Sequence, residues 1–230
     1  MPLHRVPLRH RFYRTSTVRG LMALAAFAAG SSHVHAGRPL TVDDAGVNAP
    51  GEGHIEMWWE GVHQERGAVF AAPAYAPRAL PGLEVGALLA RDLHGRATLN
   101  GLQAKWQWTA PRDGGCHAAS SAGLVHAHGE NGSTLALTAI GTCAIGWGAV
   151  HANLGALRTP EKHWRPTWGV ALESTWGAVT AHVEAFGERN GPPTYQTGAL
   201  WEWTPGWQLD GIVGRRQGRT LLSLGVKYSF

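Results

Sequence analysis

Residues 220–230 read Thr220-Leu221-Leu222-Ser223-Leu224-Gly225-Val226-Lys227-Tyr228-Ser229-Phe230. Successive side chains of an extended strand point to opposite faces. Leu222, Leu224, Val226, Tyr228 and Phe230 therefore share one face, and Leu221, Ser223, Gly225, Lys227 and Ser229 the other. The first face is wholly apolar and the second mostly polar. A soluble sandwich can alternate in this way. It rarely ends its chain on an aromatic preceded by four apolar residues at every second position.

Outward from this stretch the chain divides into similar segments separated by turn residues. They span approximately 53–61, 68–76, 82–91, 97–109, 116–128, 132–141, 145–156, 166–176, 178–188, 194–203, 207–216 and 220–230. Residues 53–230 number 178, or about 15 per strand and turn, which accommodates membrane strands of about 9–11 residues. An even number of antiparallel strands closes with both termini on one side. The last segment resembles the C-terminal strand of bacterial outer-membrane barrels, which the insertion machinery recognises. The expected fold class is all-β, an antiparallel transmembrane β-barrel of about 12 strands. Weak patterning in segments two and five leaves ten as the alternative. No strong internal repeat is present.

Composition agrees. Of 230 residues, 16% are charged, 31 are Gly and 11 are Trp, with 44% apolar. That apolar content argues against disorder, and the glycines lack the three-residue period of collagen. No apolar run after the leader is long enough for a membrane helix. The leader itself explains the net charge of +4. Arg5, Arg9, Arg11, Arg14 and Arg19 precede an apolar run from Leu21 to Ala29, and Val34-His35-Ala36 supplies small residues for cleavage. This is the pattern of a secretory signal peptide over 1–36. Its removal takes five of 20 basic residues and none of 16 acids, leaving 15 against 16. No basic patch then argues for a nucleic-acid partner. The expected organisation is 1–36 signal peptide, 37–52 a periplasmic or lumen-inserted segment, and 53–230 the barrel, in the outer membrane of a Gram-negative cell with periplasmic termini.

The aromatic residues fit that topology. Trp106 and Trp108 close strand 4, Trp176 strand 8, Trp201 and Trp203 strand 10, while Trp207 opens strand 11 and Tyr228 and Phe230 end strand 12. All fall at one rim, where a headgroup interface favours them. Trp59 and Trp168 fall toward the other. Lower turns such as Thr204-Pro205-Gly206 and Thr175-Trp176-Gly177 are expected to be short. The upper loops are more polar, and the longest is expected at Arg158 to Arg165. Cys116 and Cys143 fall opposite or nearly opposite one another on the strand 5–6 hairpin, and a cross-strand disulfide is expected in an oxidising compartment, with two reduced cysteines at the rim as the alternative.

The polar phase of each strand supplies a candidate solute pathway. It carries Glu56, Glu60, Glu84, Gln103, Lys105, Gln107, His151, Asn153, Glu173, Thr180, His182, Glu184, Gln196, Glu202, Gln208, Asp210 and Lys227. Acids outnumber Lys and Arg, so an open lumen is expected to prefer cations. A lumen filled by paired charges, and closed, is the alternative. The segment before strand 1 is a plug candidate, with Arg38 directed at lumenal carboxylates and Asp43 and Asp44 at Lys105 or Lys227. A mobile periplasmic tail is the competing expectation.

Arg38-Pro39-Leu40-Thr41-Val42-Asp43-Asp44-Ala45, Gly53-His54-Ile55-Glu56, Leu83-Glu84-Val85-Gly86, Leu102-Gln103-Ala104-Lys105-Trp106 and Leu224-Gly225-Val226-Lys227-Tyr228-Ser229-Phe230 together resemble a bacterial outer-membrane family. It is the transporter family of meta-pathway phenol degradation. The resemblance covers most of the chain after the leader and implies passage of small, hydrophobic or aromatic compounds. It carries over no catalytic residue. The expected function is a passive channel, with outer-membrane lipids, the insertion machinery and a small solute as partners and with no cofactor or metal.

Two other classes stay open. A lipid hydrolase would draw on His126, His128, Glu130 and Ser133 near the upper rim, where His126-Ala127-His128 also suggests a metal pair. A closed structural barrel is the third reading. No phosphate loop, CxxC or HExxH motif is present.

Overall fold

The computed structural model describes residues 40–63, 67–93, 97–111, 115–129 and 131–230. The leader at 1–36, Arg38 and Glu130 lie outside them. Twelve strands follow one another: β1 (Gly53–Val62), β2 (Ala68–Tyr75), β3 (Leu83–Asp92), β4 (Thr98–Gln107), β5 (Cys116–Ala127), β6 (Ser133–Ile145), β7 (Gly148–Arg158), β8 (Trp164–Trp176), β9 (Val179–Glu188), β10 (Thr194–Thr204), β11 (Trp207–Arg216) and β12 (Arg219–Ser229). Each pairs antiparallel with its neighbours, and β1 pairs with β12, so the sheet closes into a barrel without an edge. Closure satisfies every ladder through the strands themselves, as hydrocarbon surroundings demand.

The alternation sorts the two faces. Ile55, Met57, Leu102, Leu154 and Leu224 point outward, with Leu102 and Leu154 each 70% exposed. Glu56, Lys105, His151 and Ser223 point inward and are almost wholly buried. A surface this apolar is suited to lipid. Both ends of the barrel domain, Gly53 and Phe230, meet at one rim, where Gly53 N–H donates to the Phe230 carbonyl at 2.8 Å. This terminal rim carries the aromatic belt. Trp108, Trp147, Trp176 and Trp203 are each more than half exposed. Trp207 packs against Tyr228 at 4.7 Å between ring centroids with the rings tilted by 37°, and Tyr228 lies 6.1 Å from Phe230.

Loop lengths differ from expectation. The longest connections are 76–82 and 108–115, both at the terminal rim. The first is folded on itself, with Leu80 N–H on the Pro77 carbonyl and Leu83 N–H on Leu80. At the far rim the expected 158–165 loop shrinks to 159–163, because Trp164 and Arg165 pair with Arg158 and Leu157 and start β8 early. Cys116 and Cys143 are register partners on β5 and β6 and form a disulfide.

Candidate functional site: the lumen and its N-terminal segment

The inward residues of the terminal half of the barrel converge on residues 40–48, which run inside it. Val42, Ala45 and Val47 are buried, as are Asp43, Asp44 and Asn48. The segment forms no strand. Its backbone N–H groups therefore need other acceptors, because an unpaired buried amide is costly.

The wall supplies them. Glu184 on β9 accepts from Thr41 N–H through both carboxylate oxygens at 2.9–3.0 Å and from Val42 N–H at 2.6 Å. Gln196 on β10 donates to Glu184 at 2.7 Å and to the Thr41 hydroxyl at 2.8 Å. Asn153 on β7 grips Asp43 twice, accepting from its N–H at 2.7 Å and donating to its carbonyl at 2.8 Å. Thr142 on β6 accepts from Ala45 N–H, and Gln107 on β4 donates to the Ala45 carbonyl. Glu84 on β3 accepts from Asn48 N–H at 2.9 Å. Asp44 turns back on its own chain to accept from Gly46 N–H. Apolar contacts complete the seat: Val42 packs with Ala171 and Phe186, and Ala45 with Ala119 and Ile140.

Lys105 is the electrostatic centre. Only 1% exposed, it donates to Asp43 Oδ1 at 2.8 Å. Burial pushes the Asp43 carboxyl up to about 7 and Asp44 up to about 6, with the Lys105 ammonium pulling both back. Lys227, the other lumenal lysine considered for this segment, pairs instead with Glu56 at 3.6 Å. Strand pitch sets this choice, since β12 carries Lys227 opposite Glu56 on β1. His151 lies 3.5 Å from Glu173 and His182 3.6 Å from Glu184. Asp210 is buried on the same inner wall, and Glu202 is exposed at the terminal mouth.

One lumenal feature escaped the sequence reading. Trp58, Phe70, Leu88, Leu99 and Val125 form an apolar cluster on the inner wall of β1–β5. Trp58 and Phe70 stack face to face at 4.7 Å. The signal was present, because Trp58 shares its phase with Glu56 and Glu60.

Of the hydrolase candidates, His126 and Ser133 are described side by side and Glu130 lies outside the described residues. His126 Nδ1 lies 2.9 Å from the Gly132 carbonyl, so that nitrogen carries the proton and donates it there. The Ser133 hydroxyl, 3.4 Å from the same nitrogen, finds no base. Among the described residues no cluster of three His, Cys, Asp or Glu could hold a metal ion. A groove of about 660 Å³ lies on the outer wall over β4–β7, floored by Ala104, Ala122, Ala139 and Ala156.

Known structures share this architecture. A KdgM porin superposes with a TM-score of 0.66 at 13% identity, over 77% of this chain and 99% of its own. The COG4313 outer membrane channel from Pseudomonas putida F1 gives 0.60 at 12%, over 81% and 98%. A NanC porin gives 0.54 at 6%, over 76% and 98%. At such identities the likeness concerns the fold. No curated protein matches the sequence. The family model described as uncharacterised conserved protein UCP029691 matches residues 23–222, nearly the whole chain, and the protein belongs to that family.

Proposed function

We propose that this protein is an outer-membrane channel for small solutes, with both termini periplasmic, whose acid-rich lumen is held shut by residues 40–48. The observation that carries the reading is the grip on that segment. Side chains from five strands take up its main chain, a sixth strand bonds the Thr41 hydroxyl, and the inner wall behind it is largely polar. Glu56, Glu84, Glu173, Glu184, Glu202 and Asp210 face only Lys105 and Lys227 among the pathway residues, which favours cations once the segment leaves. The apolar wall around Trp58 and Phe70 supports a hydrophobic or aromatic solute, as the phenol-pathway resemblance implies. The fold shared with porins supports passive passage, and the apolar belt supports surrounding lipid.

The test is conductance of the folded mature protein in a planar bilayer, beside a deletion of 37–48. Small or rare currents from the intact protein, and large cation-preferring steps from the deletion, are expected. Equal currents from the two would remove the plug. No current from the folded deletion would leave a closed structural barrel.

A further inference from the structure

Charge on the strands is sorted by side and by rim. Every strand carboxylate among the described residues sits on an inward position: Glu56, Glu60, Glu84, Asp92, Glu173, Glu184, Glu188, Glu202 and Asp210. Among strand cations, Lys105, Lys227, Arg165, Arg216 and Arg219 also occupy inward positions. Three do not. Arg91, Arg158 and Arg215 stand on the outward phase and are exposed, and no ion pair holds them among the described residues. All three lie at the far rim, within the last two residues of β3, β7 and β11, so they recur every four strands around the barrel.

Two of the three stand beside outward aromatics, whereas Arg91 lies between Val69 and Thr98. Arg158 is the register partner of Trp164, and Arg215 of Tyr195, both aromatics more than half exposed. An aromatic at the acyl boundary beside a guanidinium at phosphate depth is the arrangement that an anionic headgroup layer would select. Among the described strand residues the terminal rim has the aromatics without outward cations, although Arg78 is exposed in the 76–82 loop there. The strand faces at the two rims therefore differ in outward charge.

We infer that Arg91, Arg158 and Arg215 form a ring that binds the phosphate groups of a lipopolysaccharide leaflet and thereby seats the far rim in it. Arginine suits the task because its planar fork can take two phosphate oxygens together, and its charge is never lost. The inference is independent of what passes through the lumen.

The experiment titrates folded mature protein with diphosphoryl lipid A and reads adducts by native mass spectrometry, with folding verified by heat-modifiable gel migration. The three arginines stand four strands apart, about 19 Å or more, and act as separate sites, so the triple variant R91Q/R158Q/R215Q should bind each lipid about fivefold more weakly. R165Q, which removes an inward cation at the same rim, should bind like wild type. Lipid A stripped of phosphate, and phosphatidylglycerol, should bind wild type at least tenfold more weakly. Undiminished binding by the triple variant would overturn the inference. So would equal affinity for phosphatidylglycerol, or a comparable loss in R165Q. Should the triple variant fail to fold, R158Q and R215Q decide: each should weaken one of the three lipid-binding steps about fivefold, and a variant in which all three steps keep wild-type strength would overturn the inference.

Discussion

Replacing Lys105 by methionine should unseat the N-terminal segment. The ammonium is buried and lies 2.8 Å from Asp43 Oδ1, with Asp44 and Glu84 close enough to act on it. In Lys105→Met the seated segment would hold the Asp43 carboxylate among other acids without a cation. Removing one partner of a buried pair costs about 3–5 kcal/mol. The cost falls on the seated state alone, because a released Asp43 is in water. At 1.4 kcal/mol per factor of ten, the ratio of closed to open channels should fall roughly 100- to 5,000-fold. The assay is open probability in a planar bilayer at pH 7.5. Two controls isolate the cause. At pH 5 protonating a free aspartate costs only about 1.5 kcal/mol, so the variant should close again. Asp43→Asn combined with Lys105→Met removes both charges and should close at both pH values. A Lys105→Met channel that stays shut at pH 7.5, or one that neither acid nor Asp43→Asn closes, would refute the reasoning.

Gly169→Val should open the channel by sterics, since a Cβ at Gly169 would lie 2.8 Å from Val42 Cγ2; unchanged currents in a folded variant would place Val42 elsewhere. The intact channel should respond to pH through Asp43, whose pKa rises from 3.8 to about 7 on seating. Protonation thus favours the seated state: this contribution is full below about pH 4 and is lost as pH rises through about 7, so openings should be more frequent at pH 8 than at pH 5. Replacing Cys116 and Cys143 by serine removes a cross-link spanning 27 residues. The loss should lower unfolding stability by at most about 3.5 kcal/mol, read from denaturant midpoints of refolded protein. Conductance should not change.

Much of the barrel was legible because a strand's side-chain period of two is rigid. Once Leu222 and Lys227 were assigned to opposite faces, the phase of every other segment followed from its own alternation. Strand ends were less legible. Trp164-Arg165 reads as loop ahead of a strand starting at Pro166, yet pairing with Arg158 and Leu157 carries the strand past the proline, whose ring faces outward where it costs no lumenal contact. Phase also says nothing about depth. Asp43 had two lysines of the correct phase to choose between, and only the stagger of β4 against β12 places Lys105 beside it. Trp58 and Phe70 were missed because attention to polar inward residues hides an apolar patch in the same phase.

The segment inside the barrel is held by its main chain. The N–H groups of Thr41, Val42, Asp43, Ala45 and Asn48 each meet a wall side chain. The lumen thus behaves as a receptor for an extended peptide, reading the backbone along its length and side chains at Thr41, Val42, Asp43, Ala45 and Asn48. The backbone contacts themselves set one chemical demand on the segment's sequence. Proline has no N–H to offer, and the two prolines of this region, Pro39 and Pro50, fall just outside the stretch whose amides are read.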